Sequence, residues 1–445
     1  MSWLIIPLIA SFAVYHHTVI RRSGVLTANS IFVYLELIMA VGSLALIDES
    51  WESDRLYAWM IAYTFLAYLA ASALLTHAYP EAPRHRAREH ISIHQPTALF
   101  WLAMVLSALV VLAYFRAIGY SAFLRGLEAQ VSGVQTDVAT LRLDSYSGSR
   151  YLFPGYVNQL KNALLPALVV VAITHWARTG MLKRRRVPAF LWTALAVFGL
   201  LGTGQRGAFL MFAFASVVYL YMLNGNRLPR WTPVVATLTA AVLLLSTIAL
   251  GRSTGDLAQG TSFEQRARVA LPELTDRVLV ANQGSAVIGF RYIYNYTQVQ
   301  NGREWLQSAI GIFPGRAGSD LVNRIFAYRY GSLRGSSPPS IWGSVYHNFG
   351  WPGIFVAPFV LALILVLLSQ LGTRGTRRDS LELMGIAGVF TVFGFWVAGS
   401  PLFLLNNGVL VYALLWVVGA RARRKNDSDV DAGMAVSPEP EYVRP

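Results

Sequence analysis

Long apolar stretches recur along this chain and constrain its fold more than any other feature. About 18 or more apolar residues suffice for a helix to cross the roughly 30 Å hydrocarbon layer of a bilayer. Within lipid such a run must satisfy its own backbone hydrogen bonds, which a helix does. Charged residues make up only 13% of the sequence, against roughly 25% in a soluble domain. The expected class is an all-α polytopic membrane protein.

The apolar runs lie at about residues 2–20, 26–47, 56–76, 97–115, 157–176, 188–202, 207–224, 232–251, 353–371, 381–398 and 403–420, eleven in all. Arginine and lysine in short loops mark the cytoplasmic side. Arg21-Arg22, Arg84 to Arg88, Lys183 to Arg186, Arg227, Arg374 to Arg378 and Arg421 to Lys425 all fall on one side of this arrangement. The acidic stretch Asp48 to Asp54 falls on the other. The expectation is an N-terminus outside and a C-terminus in the cytoplasm. The first run lacks a basic leader and a small-residue cleavage site, so it reads as a first span rather than a removed signal peptide.

The chain divides accordingly. Residues 1–251 hold the first eight spans and an outer loop at 116–155. Residues 252–350 form a large outer loop, 351–424 hold the last three spans, and 425–445 form a polar tail expected to be disordered. The large loop holds ten arginines, six acids and no lysine. Helical stretches such as 263–280 are expected in its first half. Turns around Pro314, Pro338 and Pro339 are expected in its second, and residues 304–313 suit an interfacial segment.

An arginine-rich polar segment between spans suits an anionic ligand, because the guanidinium fork grips phosphate in two places. Arg252 at the end of a span and Arg316 in a Pro-Gly-Arg turn hold the most restricted positions. Arg277, Arg291 and Arg324 are further loop cations for diphosphate or glycan. Arg206 sits in the glycine-rich turn Gly202 to Gly207. That turn fits G-x-G-x-x-G, but it joins two spans and lacks the strand a dinucleotide site requires. His347 is the one histidine of eight expected outside, which makes it the candidate general base. Among the loop acids, which include Glu304, Asp320 lies nearest the Pro-Gly-Arg turn.

Other chemistries find little support. There is no cysteine, so disulfides, thiolate metal sites and cysteine nucleophiles are excluded. His85, His90 and His94 with Glu89 sit among arginines and read as a solvated basic loop, so no metal and no other cofactor is expected. Net charge is +14, yet the basic clusters sit at helix ends rather than on one face, which argues against nucleic acid.

Several of these features together resemble the Wzy-type O-antigen and oligosaccharide repeat-unit polymerases of bacterial envelopes, including enterobacterial common antigen polymerase. The shared marks are some eleven spans, the turn Gly204-Gln205-Arg206-Gly207 and the run Arg142-Leu143-Asp144-Ser145-Tyr146-Ser147. A Pro-Gly-Arg turn then precedes Pro338-Pro339-Ser340 and the string Tyr346, Asn348, Phe349, Gly350 and Gly353. The position of His347 varies in the family, and Ser344 stands where some members carry an acid.

The resemblance implies a GT-C-like membrane glycosyltransferase. Such enzymes move a growing glycan from undecaprenyl diphosphate onto a new lipid-linked repeat unit at the outer face of the bacterial inner membrane. It implies undecaprenyl-diphosphate-linked oligosaccharide, membrane lipids and a chain-length regulator as partners. Arg206, Arg252, Arg277 and Arg316 would hold diphosphate, His347 would serve as base, and Tyr346 and Asn348 would contact glycan. Two rivals remain open: an O-antigen ligase acting on lipid A–core, and a transporter of lipid-linked sugars. A transporter predicts charges lining the spans and repeated halves, whereas the charges here gather at span ends.

Overall fold

The computed structural model describes residues 1–78, 90–132, 137–147, 156–230, 232–250, 268, 272, 276, 280–311, 313, 318–333, 335–373 and 377–435. Its helices, in chain order, begin with α1 (Ser2–Ser23), α2 (Ala28–Ala45), α3 (Glu52–Ala78) and α4 (Ala98–Ile118). Two short helices follow, α5 (Ala122–Ser132) and α6 (Val138–Ser147). Then come α7 (Tyr156–Arg178), α8 (Arg186–Leu201), α9 (Arg206–Leu223) and α10 (Thr232–Leu250). The large connection contributes α11 (Asn282–Tyr296), α12 (Arg303–Ile310) and α13 (Leu321–Tyr330). The chain ends with α14 (Ser340–Thr373), α15 (Ser380–Gly394), the short α16 (Leu402–Asn406) and α17 (Val409–Ala435).

Among the described residues, nine helices are long and apolar enough to cross a membrane: α1, α2, α3, α4, α7, α9, α10, α14 and α15, the last with its 3₁₀ extension to Ala398. The chain is thus an all-α, multi-pass membrane protein. The expectation of eleven spans also needs α8, a shorter apolar helix, and the apolar first half of α17. Leucines such as Leu99, Leu102, Leu109, Leu363 and Leu371 stay exposed on helix flanks, as lipid-facing residues do.

Local chemistry sets many boundaries. Thr27 accepts from the Ser30 N–H at 3.2 Å and Thr97 from the Phe100 N–H at 3.3 Å, N-capping α2 and α4. Within α14, Gly350 adopts φ 62°, ψ −154° and kinks the helix. A residue without Cβ takes that conformation readily, and the break divides an outer helical segment from the span expected at 353–371. The Gly202 to Arg206 turn has Gly204 at φ 76°, the tight turn the sequence suggests. Helix α17 runs on past the last apolar run to Ala435, through Gly433.

The core centres on α15, every residue of which is buried except the partly buried Phe393. A Cβ at Gly385 would overlap the Trp416 backbone nitrogen, one at Gly388 the Tyr412 ring, and one at Gly419 the Glu382 backbone nitrogen. Small residues let membrane helices approach this closely without a hydrophobic driving force. Gly385→Ala is therefore expected to push α15 off α17 and destabilise by about 1–3 kcal/mol. The check is an earlier loss of monodispersity on heating in detergent. Gly207→Ala, whose Cβ would meet nothing within 4 Å, should leave that midpoint in place.

One end of the bundle is fastened by the connections around it. Strands β1 (His90–Ser92) and β2 (Arg377–Asp379) pair in parallel, from His90 opposite Arg377 to Ser92 opposite Asp379. Beside them, buried Glu382 bonds Arg378 at 2.5 Å and Arg423 at 3.1 Å. His94 contacts Asp379 at 3.1 Å, while His85 and Glu89 lie outside the described residues.

Candidate functional site

At the opposite end, four connections that the charge rule assigns to the outer side enclose a cavity of about 750 Å³. Arg142 reaches it from α6, Gln205 and Arg206 from the turn before α9, and Asn282 and Ser308 from the large connection. Asn406 and Asn407 reach it from the turn between α15 and α17, and Asn158 and Asn162 from the start of α7. No carboxylate lines it among the described residues. Two guanidinium groups amid amides and hydroxyls form an environment suited to anionic oxygen.

Arg142 and Arg206 are far apart in sequence, and Ser145 explains their meeting. Its hydroxyl donates to the Arg142 carbonyl at 2.7 Å and contacts the Thr203 carbonyl at 3.3 Å. The Tyr114 hydroxyl donates to the Ser145 carbonyl. The arginine-serine-tyrosine run is thus stitched to the glycine-rich turn. Arg206 Nη1 donates to Thr247 Oγ1 at 3.0 Å, which fixes its guanidinium against α10.

Asn158 and Asn162 lie one helical turn apart, so both face the cavity. Between them Lys161 is fully buried, in a π-helical turn at Leu160–Leu164, and its Nζ donates to Asn162 Oδ1 at 2.7 Å. With Oδ1 held by that donor, the amide N–H₂ is the end of Asn162 left for the cavity. A lysine here reinforces the donor character of the wall.

A second cavity, of about 310 Å³, contains His347, Glu304, Asp320 and Arg324. The His347 Nδ1 lies 3.1 Å from Thr297 Oγ1, and its carbonyl accepts from the Gln300 N–H at 2.9 Å. Glu304 is buried; it accepts from Asn348 Nδ2 at 2.9 Å and from the Ser308 hydroxyl at 3.1 Å. Arg324 pairs with Asp320 at 2.8 Å, and this bond raises its pKa. Helix α12 is the partition between the cavities: Gln307 lines the smaller and Ser308 the larger, as do Ser319 and Gly318 on the facing strand of chain.

Comparison with protein-family models, with curated proteins and with solved structures returns no match.

The structure divides the residues singled out by sequence. Arg206 enters the large cavity, and His347 and Arg324 the small one. Arg291 lines neither; it grips buried Asp54 at 3.0 and 2.8 Å and lies 4.4 Å over the Trp51 ring. Tyr346 packs its ring 5.0 Å from Phe290 and 5.4 Å from Trp351, away from both. Asn348 is fully buried and holds Glu304 and the Trp305 N–H, so it shapes the small cavity from behind. Arg252, Arg277 and Arg316 lie outside the described residues; Gly311 and Gly318, on either side of Arg316 in sequence, line the large cavity.

The sequence alone assigned no site role to Arg142, Lys161, or the cavity asparagines Asn158, Asn162, Asn282, Asn406 and Asn407. The signal available for α7 was a set of amide residues and a lysine at helical spacing within an otherwise apolar run.

Proposed function

We propose that this protein is a membrane glycosyltransferase that polymerises undecaprenyl-diphosphate-linked oligosaccharide units on the outer face of a bacterial inner membrane. The observation that carries the reading is the large cavity. Arg142 and Arg206, each from a motif shared with repeat-unit polymerases, enter one space with no carboxylate among its described lining residues.

In the reaction, an acceptor sugar hydroxyl attacks the anomeric carbon of the donor glycan. The bond from that carbon to the diphosphate oxygen breaks, and the diphosphate leaves with the electron pair. Guanidinium groups aimed at that oxygen stabilise the charge as it develops. The hydroxyl proton passes to a base, and His347 and Glu304 supply an imidazole and a carboxylate on the neighbouring cavity. Eleven spans, with the N-terminus outside, would put both cavities on the face where such lipid-linked substrates are presented.

The test is a gel of lipid-linked and surface glycans from a strain lacking the protein. A ladder that collapses to a single repeat unit, and returns with the wild-type protein, is the expected result. Long chains retained on the carrier lipid would make the protein a ligase instead. Single units accumulating on the cytoplasmic side would make it a transporter.

A further inference from the structure

We propose that the smaller cavity, with the tyrosines at its mouth, is a binding subsite for a neutral, hydroxyl-rich glycan segment. The two cavities differ in charge. Among the described residues, the larger presents two arginines and no carboxylate, whereas the smaller presents Glu304 and Asp320 against Arg324. Since Asp320 and Arg324 pair with each other at 2.8 Å, the carboxylate of Glu304 sets the field. A diphosphate is repelled there, and an uncharged polyhydroxyl ligand is not.

The rest of the lining fits that ligand. Gln298, Gln300 and Gln307 supply amides that both donate and accept, Thr297 and Ser319 supply hydroxyls, and Leu321 is the one aliphatic residue. Adjacent sugar hydroxyls are recognised by such paired donors and acceptors.

Sugar rings also present an apolar C–H face, and the structure offers a counterpart. Tyr292, Tyr296 and Tyr328 form a cluster with ring centroids 5.5 to 5.7 Å apart. Tyr296 lines the cavity and is 64% exposed, and Tyr328 is 39% exposed. Exposed aromatic rings beside a polar pocket give an apolar surface with polar tips, the pairing a pyranose requires. The segment from Thr297 to Gln300 is pinned to α14 through His347, so the subsite is formed before any ligand arrives.

Its position adds a role. Helix α12 lines both cavities, with Gln307 on this one and Ser308 on the arginine cavity, so a glycan held here would lie beside a diphosphate held there. This deepens the reading above by giving the acceptor's sugar a place, and it rests on that reading only for which glycan is bound.

The experiment uses the full-length protein in nanodiscs on an array of neutral and acidic bacterial oligosaccharides, with inorganic diphosphate as competitor. Wild type should retain neutral glycans, and diphosphate should not displace them. Tyr296→Ala combined with Tyr328→Ala should weaken retention about tenfold, while Tyr296→Phe, which keeps the ring, should retain it. Retention of no neutral glycan, retention indifferent to the tyrosine pair, or displacement by diphosphate would each overturn the subsite. If array binding holds while the deletion strain keeps its ladder, the subsite stands and the polymerase reading falls. A lost ladder without tyrosine-dependent binding means the reverse.

Discussion

Replacing Arg206 with alanine is expected to lower the initial rate of polymer formation by about 100- to 1,000-fold, the usual consequence of removing one preorganised group that stabilises developing negative charge. The cavity's composition sets the size of this effect. Arg142 and Arg206 are the two guanidinium groups among its described lining residues, and asparagine amides cannot supply full charge. Arg206 is also held in place by Thr247 at 3.0 Å, so its position needs no reorganisation during the reaction. Arg206→Lys retains charge but not the planar fork, and should recover only part of the rate. Thr247→Val removes the tether alone and should cost less than either. The measurement is a single-turnover assay in proteoliposomes with purified lipid-linked repeat unit. An Arg206→Ala protein that keeps its rate would remove the diphosphate role from this cavity.

The second large effect concerns stability. Asp54 is fully buried, accepts two bonds from Arg291 at 3.0 and 2.8 Å and also accepts the Asp48 N–H at 3.1 Å. The hydrogen bond to Asp54 raises the Arg291 pKa, so the guanidinium stays charged. Asp54→Ala removes the buried partner and leaves the part-buried Arg291 guanidinium without its paired bonds, which costs about 1–3 kcal/mol. Replacing both, as Asp54→Ala with Arg291→Met, should recover much of that loss, because no unpaired guanidinium remains. Helix α11 carries Tyr292 and Tyr296, so the single variant should also lose glycan retention on the array. A thermal midpoint unchanged by Asp54→Ala would show that the pair does not anchor α11.

These effects also show how far the sequence reached. Long apolar runs fixed the positions of the helices, because the bilayer demands length and hydrophobicity that no other fold needs. The Gly350 kink, which the sequence reading did not anticipate, falls at the boundary it set between the outer loop ending at 350 and the span expected at 353–371. The role of each arginine was not legible. Arg206 and Arg291 are alike in type and both expected outside, yet one enters a cavity and the other binds Asp54 at the start of α3. That difference depends on contacts between residues more than two hundred positions apart, which spacing does not encode. The asparagines were hidden for another reason. Single amides in an apolar run do not change its hydropathy enough to stand out, and they gain meaning only when several helices bring them together.

The fastening of the other end has a mechanical consequence. The β1–β2 pair joins the connection before α4 to the one before α15, and Glu382 ties α15 to α17 through Arg423. Carrying a solute through the bundle requires each end to part in turn, and parting this one would break a ladder and strand buried charges. The molecule is built like a cup with a stitched base. Cargo would enter and leave by the rim or sideways from the lipid, without passing through the base.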